Sequence, residues 1–292
     1  MPNLKEVRTR IASIKSTQQI TAAMKLVAAS RLRKTQNAIL KLRPYAEKLK
    51  EISANLSSSE QEGNSLAIVR PAEKILIVAL SSNRGLCGAF NTNVIRRVRQ
   101  LIEGEFAEQH ARGDLKLITI GRKISEHYIK RQYPVLERHD DVYHNLSFEQ
   151  AAPLAEKLME QFNRQEYDRI VLVYNQFKNA AVQKTVDEVY LPVASEKEES
   201  DTAIEDFILE PDKETILQEL IPKILKIQFY KALLDSFASE HGARMTAMHQ
   251  ATENAKDILR ELNLSYNKAR QATITKEILE IVSGANALRE GQ

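Results

Sequence analysis

Few residues of this chain have the types and spacing to do chemistry. The segment SSNRGLCGAFN, Ser81 to Asn91, follows a β-type run and precedes a helix-type one, the place where α/β folds bind phosphate. It carries only G-x-x-G, at Gly85 and Gly88. It lacks G-x-G-x-x-G, and it lacks the lysine and hydroxyl of G-x-x-x-x-G-K-[ST] that grip phosphate and magnesium. The expectation is a tight turn in which the two glycines permit close packing. Cys87, in the same turn, reads as a small buried side chain rather than a nucleophile, because no histidine is near it in sequence. HDDVYH, His139 to His144, has metal-ligand residue types without the H-E-x-x-H spacing of a helical zinc site, and reads as a solvated loop. His241 and His249 fall on a helix-type stretch with no second pair beside them, and no G-x-S-x-G is present. No catalytic residue, cofactor site or metal site is expected.

The elements that must position these residues come in three blocks. From Leu4 apolar or small residues recur at three- and four-residue steps through Val7, Ile11, Ile14, Ala28, Leu32, Ile39, Leu42, Ala46 and Leu49, a coiled-coil seam. This predicts one helix to about Leu56, bent at Pro44. Gln18, Thr21 and Lys25 occupy the same series while Ile20, Met24 and Val27 are each displaced by one position, which predicts a broadened apolar face with the polar groups turned outward. After a polar linker, residues 66–193 change period. KILIVALS, LKLITI and RIVLVY are short β-rich runs separated by helical stretches, one of which opens with Ser147 and Gln150 at capping-box spacing. Strand and helix alternate, so this is a Rossmann-like α/β domain with a largely parallel sheet. AVQKTVDEVYLPV adds a strand antiparallel to RIVLVY at one edge.

An acidic linker, ASEKEESDTAIED, leads to a second helical block that runs from Asp212 to about Leu288. At 1.5 Å per residue the two helices measure roughly 80 and 115 Å, longer than a globular domain requires, so they must pair with each other. The order helix, domain, helix makes the pair antiparallel. If the domain holds the end of the first helix beside the start of the second, partners have numbers summing to about 268, which sets Leu4 near Leu264 and Met24 opposite Arg244. Nearly everything after Tyr266 then lacks a partner. The fold class is α/β plus a long antiparallel coiled coil: residues 1–56 the N-terminal helix, 66–193 the central domain, 207–292 the C-terminal helix.

Residues 1–50 hold twelve Lys or Arg against Glu6 and Glu47, a net charge of +10, while the other residues hold 30 basic and 37 acidic groups, a net −7. A segregated basic helix suits nucleic acid, an acidic protein surface or anionic lipid, or is simply a solvated face. Two function classes remain: a mechanical protein whose coiled coil inserts into a larger assembly, and a nucleic-acid adaptor. The adaptor needs aromatics for base stacking among the basic residues, and the arm has only Tyr45, which favours a protein partner. The single cysteine excludes an internal disulfide and fits a reducing compartment. The start MPNLKEVRTR has no apolar stretch of a signal peptide, and no run of eighteen apolar residues could span a membrane.

ITAAMKLVAASRLRK with RPYAE, the turn SSNRGLCGAFN, SEHGARMTAMHQATENAKD and YNKARQATITKEILEIVSGANAL together resemble the gamma subunit of F-type ATP synthases, in the right order across the chain. The resemblance implies a rotor. Its coiled coil stands inside a hexamer of alternating alpha and beta subunits, one copy per complex, and its α/β domain lies toward the membrane against epsilon and the c-ring. Ion flow turns ring and shaft together and drives the beta subunits' catalytic sites through their cycle, and ATP hydrolysis drives the reverse; the shaft itself is not catalytic. It further implies contact with the beta subunits at Met24, Arg244, Arg270, Gln271, Thr275 and Glu277, contact with the c-ring at Phe207 and Glu210, no nucleic acid, and a peripheral place on the cytoplasmic face of a bacterial membrane. The cysteine pair of chloroplast-type relatives is absent, since Cys87 stands alone.

Overall fold

The structure is a computed structural model that describes residues 4–57, 65–193 and 213–290. Helix α1 spans Leu4–Ser57 and continues through Pro44. The central region follows in the order β1 Ile75–Leu80, α2 Phe90–Gln100, a π-type turn Leu101–Glu105, α3 Ala107–Arg112, β2 Leu115–Ile120, α4 Arg122–Ile129, β3 Val135–His139, α5 Phe148–Asn163, β4 Arg169–Phe177 and β5 Gln183–Leu191. Helix α6 then runs Lys213–Glu290. The fold class expected from the sequence is borne out, and no described helix is long and apolar enough to cross a membrane.

The five strands form one sheet in the order β3-β2-β1-β4-β5, parallel except for the antiparallel β4–β5 pair at one edge. All six residues of β1 are buried, as a central strand covered on both faces must be. Alternate side chains divide between two cores. Leu76, Val78 and Leu80 join residues of α5 and α6 on one face, and Ile75, Ile77 and Ala79 join those of α2, the π-type turn and α4 on the other. Strand β3 is an addition to the sequence reading. Its five residues, VLERH, are only half-buried at the edge of the sheet and carry too few apolar groups to announce a strand. Ser147 does stand at the N-cap of α5 in extended conformation, but its side chain makes no cap hydrogen bond.

The chain divides into two compact units, residues 28–244 and residues 1–27 with 245–292. In the first, α6 is buried on more than one side: Leu225, Phe229, Ala232 and Leu233 enter the core on one face of the sheet, and Leu234 and the small polar Ser236 and Ser239 are buried as well. Ser239 donates to the carbonyl oxygen of Asn175 at 2.9 Å. Gly242 lets the helix pass the β4–β5 hairpin, since a Cβ there would sit 3.3 Å from the Ala180 backbone.

In the second unit the helices are antiparallel neighbours. The Thr21 and Thr252 hydroxyls are 2.8 Å apart, and Lys25 Nζ lies 3.3 Å from His249 Nδ1. These pairs sum to 273 and 274, about five residues from the expected register, a little more than one helical turn. Nothing in the linkers fixes the offset between the two helix ends, so the sequence estimate could not do so. The expected orientation of the seam is reversed as well. Thr21 is buried and satisfied across the pair, whereas Ile20 and Val27 are 57% and 56% exposed. A buried hydroxyl costs little when it finds a partner, and Thr252 supplies one.

Candidate functional site

The turn after β1 is built from hydrogen bonds that leave it unlike a phosphate cradle. Ser82 donates its backbone N–H to Asn91 Oδ1 at 3.0 Å and its hydroxyl to the Arg84 carbonyl at 2.7 Å. Leu86 takes the left-handed conformation at φ 63° and Gly88 at φ 58°. The close packing expected of the glycines is not there: a Cβ at Gly85 or Gly88 meets nothing within 4 Å. Gly88 is required by its backbone angle instead. The tight approach belongs to Gly121, at the end of β2, where φ is 101° and a Cβ would collide with the Ser81 carbonyl.

Arg244 of α6 is bound to the backbone of this turn. Its Nη2 donates to the carbonyls of Arg84 at 2.9 Å and Gly85 at 3.2 Å, its Nε to Gly85 at 3.3 Å, and its Nη1 to Glu240 Oε1 at 2.6 Å. The turn presents oxygens to a cation, the reverse of the amide-lined anion sites of nucleotide-binding turns. Both charged side chains are nearly dry, at 9% and 8% exposure. Burial pushes the Glu240 carboxyl up from its ordinary range, opposed by Arg244 and by the nearby Arg31 and Arg84. Burial beside Arg244 and Arg31 pushes His241 down to about 3, so its imidazole is neutral. Its Nε2 is buried without a hydrogen-bond partner.

The remaining candidates are structural. Cys87 is 1% exposed, and burial pushes its thiol up, away from the thiolate a nucleophile needs. HDDVYH is less solvated than expected. His139 lies in β3 with Nε2 3.0 Å from Glu137, and Val142 and Tyr143 are buried, Tyr143 stacked on Phe237. No group of three or more His, Cys, Asp or Glu among the described residues is placed to hold a metal ion.

The surface residues singled out from the sequence fall in different settings. Arg270, Gln271, Thr275 and Glu277 are exposed, within a stretch, residues 271–286, in which every side chain is exposed, including Ile274, Ile278, Leu279, Ile281 and Val282. Met24 is half-buried. Arg244 faces inward, a placement that sequence periodicity alone does not signal. Phe207 and Glu210 lie outside the described residues.

Comparisons with known proteins agree with one another. A family model described as ATP synthase matches residues 3–288. The chain is 50% identical over 290 residues to the ATP synthase gamma chain of Christiangramia forsetii, covering 99% of each chain, and 49% identical to that of Cytophaga hutchinsonii, again covering 99% of each. Among solved structures, a chain of the Euglena gracilis mitochondrial ATP synthase shares the fold with a TM-score of 0.72 at 23% identity, over 99% of this chain and 95% of that one. A chain from the central stalk and c-ring of the Tetrahymena thermophila enzyme matches with a TM-score of 0.59 at 26% identity, over 80% of this chain and 99% of that one. Half its residues are identical to those relatives along nearly the whole length, and the chain belongs to the ATP synthase gamma chain family.

Proposed function

We propose that this protein is the central rotor shaft of an F-type ATP synthase. It couples ion-driven rotation of the c-ring to the conformational cycle of the catalytic sites on the beta subunits, and ATP hydrolysis runs the same coupling backward. The observation that carries the reading is the fully exposed helix of residues 271–286, which continues one member of an antiparallel pair and bears five exposed large apolar side chains. Such a stretch is stable in water only at a cost and gains cover inside a collar of other subunits. Residues 1–56 and 207–292 form the shaft and 66–193 its body. The body faces epsilon and the c-ring, and one copy stands in each alpha3-beta3 hexamer. The complex lies at the cytoplasmic face of a bacterial membrane, to which this chain is peripheral, and no nucleic acid is involved.

The shaft is not itself catalytic: a turn that offers carbonyl oxygens to Arg244 gives phosphate no donors. Arg270, Gln271, Thr275 and Glu277 meet the beta subunits from exposed positions on α6, with Met24 of α1, and Phe207 and Glu210 meet the c-ring. Arg244 belongs to the same set by resemblance, but its guanidinium is engaged within the chain. The experiment is affinity purification of the tagged chain from its native membrane, followed by single-molecule observation of a bead fixed to Arg112→Cys in a Cys87→Ala background. Alpha, beta and epsilon should co-purify, and ATP should turn the bead. A complex that hydrolyses ATP with the bead stationary contradicts the reading.

A further inference from the structure

Helix α6 is held in the α/β unit from two sides. Lys226 Nζ is paired with Glu156 of α5 at 2.5 Å, and Arg244 donates to the carbonyls of Arg84 and Gly85 in the β1–α2 turn. These two residues are separated by about five whole helical turns, so they leave the helix in the same direction. Gln228 donates its Nε2 to Glu188 Oε1 of β5 at 2.6 Å, and Ser239 donates its hydroxyl to the Asn175 carbonyl of β4 at 2.9 Å. They are about three turns apart and make a second row, roughly 150° round the helix from the first. Apolar packing is non-directional and resists roll about the helix axis weakly. Hydrogen bonds are directional, and two rows of them on nearly opposite sides oppose roll in either sense. Helix α1 differs in the same unit. Its buried Ala28, Leu32 and Thr35 fall at heptad spacing on one stripe, and the Thr35 hydroxyl turns back to the Arg31 carbonyl of its own helix.

We propose that α6 is the helix by which the shaft is turned: the row of Lys226 and Arg244 and the row of Gln228 and Ser239 key it to the α/β body, and α1 follows through its buried stripe. The proposal rests on the rotor reading above. Gln228 and Ser239 are then positioning residues, which act by fixing the angle of α6 against the sheet. Torque entering the body passes along the continuous helix Lys213–Glu290.

The test uses the whole ATP synthase in proteoliposomes, with ATP hydrolysis and ATP-driven ion pumping measured on the same preparation, with and without an opposing ion gradient. Gln228→Met with Ser239→Ala removes one row and keeps most of the side-chain volume. Hydrolysis should stay within about twofold of wild type, and ions pumped per ATP should match wild type without the gradient but fall about threefold against it, because a helix pinned along one row rolls under load. Thr35→Val, which removes the α1 hydroxyl, should pump like wild type at every load. A wild-type ratio under load in the paired variant overturns the proposal. So does an equal loss with and without the gradient, which marks general damage to the fold, and so does a matching loss in Thr35→Val. If the paired variant does not assemble, Ser239→Ala alone is read in the same way, with a fall of about 1.5-fold under load expected and a wild-type ratio again overturning the proposal. A wild-type complex that hydrolyses ATP without pumping would contradict the rotor reading instead. The keys are then judged in the isolated chain, where the paired variant should speed amide hydrogen exchange about tenfold in residues 228–244 and leave β1 unchanged, and unchanged exchange in α6 counts against them by itself.

Discussion

At the scale of single residues, the informative groups are those whose burial conflicts with their charge or whose backbone excludes a side chain. Asp235 is 7% exposed on α6, and its carboxyl is pushed up to about 6 by burial, assisted by Glu188 and opposed by Lys231. A folded value above the unfolded 3.8 means that the native state holds the proton more tightly. The stabilising proton is fully bound below about pH 4 and lost as pH rises through 6. Asp235→Asn should therefore raise the unfolding free energy of the isolated chain, measured by urea titration at pH 8, by on the order of 1–3 kcal/mol, with the gain fading toward pH 4. A gain that is equal at both pH values would place the cause in packing rather than charge. The glycines give a second expectation. Gly88→Ala meets open space and bears only the left-handed backbone cost of about 1 kcal/mol, whereas Gly121→Ala adds a collision with the Ser81 carbonyl and should lose at least about 3 kcal/mol in the same assay. Sequence spacing drew attention to Gly85 and Gly88 because they sit in a recognisable turn. The crowding at Gly121 comes from a neighbouring strand and leaves no local trace.

At the scale of elements, what was legible followed from periodicity. The runs at Ile75–Leu80, Leu115–Ile120 and Arg169–Phe177 are strands because they are buried on both faces and so read as continuous apolar segments. Val135–His139, exposed on alternate residues at a sheet edge, does not. The two long helices were legible from their heptads, but their register was not, because sliding one coil along another by a turn preserves the pattern. The polar pair Thr21–Thr252 marks one alignment: each hydroxyl reaches a carbonyl of its own helix in any register, but only in this one do the two also meet each other. Replacing both by cysteine in a Cys87→Ala background should give a disulfide on mild oxidation, as the hydroxyl oxygens are already 2.8 Å apart. Ile14→Cys with Ala255→Cys, matched to the register expected from sequence alone, should link far less. Mass spectrometry of the oxidised chains decides between the two alignments, and efficient bonding of the second pair would refute the structural register.

At the scale of the whole molecule, charge is useful where it is exposed to a partner and nearly inert where it is not. Arg270 lies on α6 at the edge of the all-exposed stretch, and Arg112 ends α3, paired with Glu108 at 3.5 Å with 64% and 82% of the two side chains exposed. An exposed pair of that kind is worth less than about 1 kcal/mol, so Arg112→Glu should leave both stability and coupling near wild type. Arg270→Glu should also fold normally, because its side chain is in solvent in the isolated chain. If Arg270 meets beta-subunit carboxylates, as proposed, the same reversal sets like charges together in a confined, partly dehydrated gap, where repulsion is less screened than at an open surface. In proteoliposomes carrying the assembled enzyme, Arg270→Glu should reduce ATP-driven pumping by about tenfold, the equivalent of roughly 1.4 kcal/mol, while its thermal unfolding as an isolated chain matches wild type. The loss should shrink if the opposing carboxylates are neutralised and change little with salt once the gap is closed. Equal pumping by the two variants would remove Arg270 from the interface, and a lowered unfolding temperature in Arg270→Glu would show that its charge serves the helix rather than a partner.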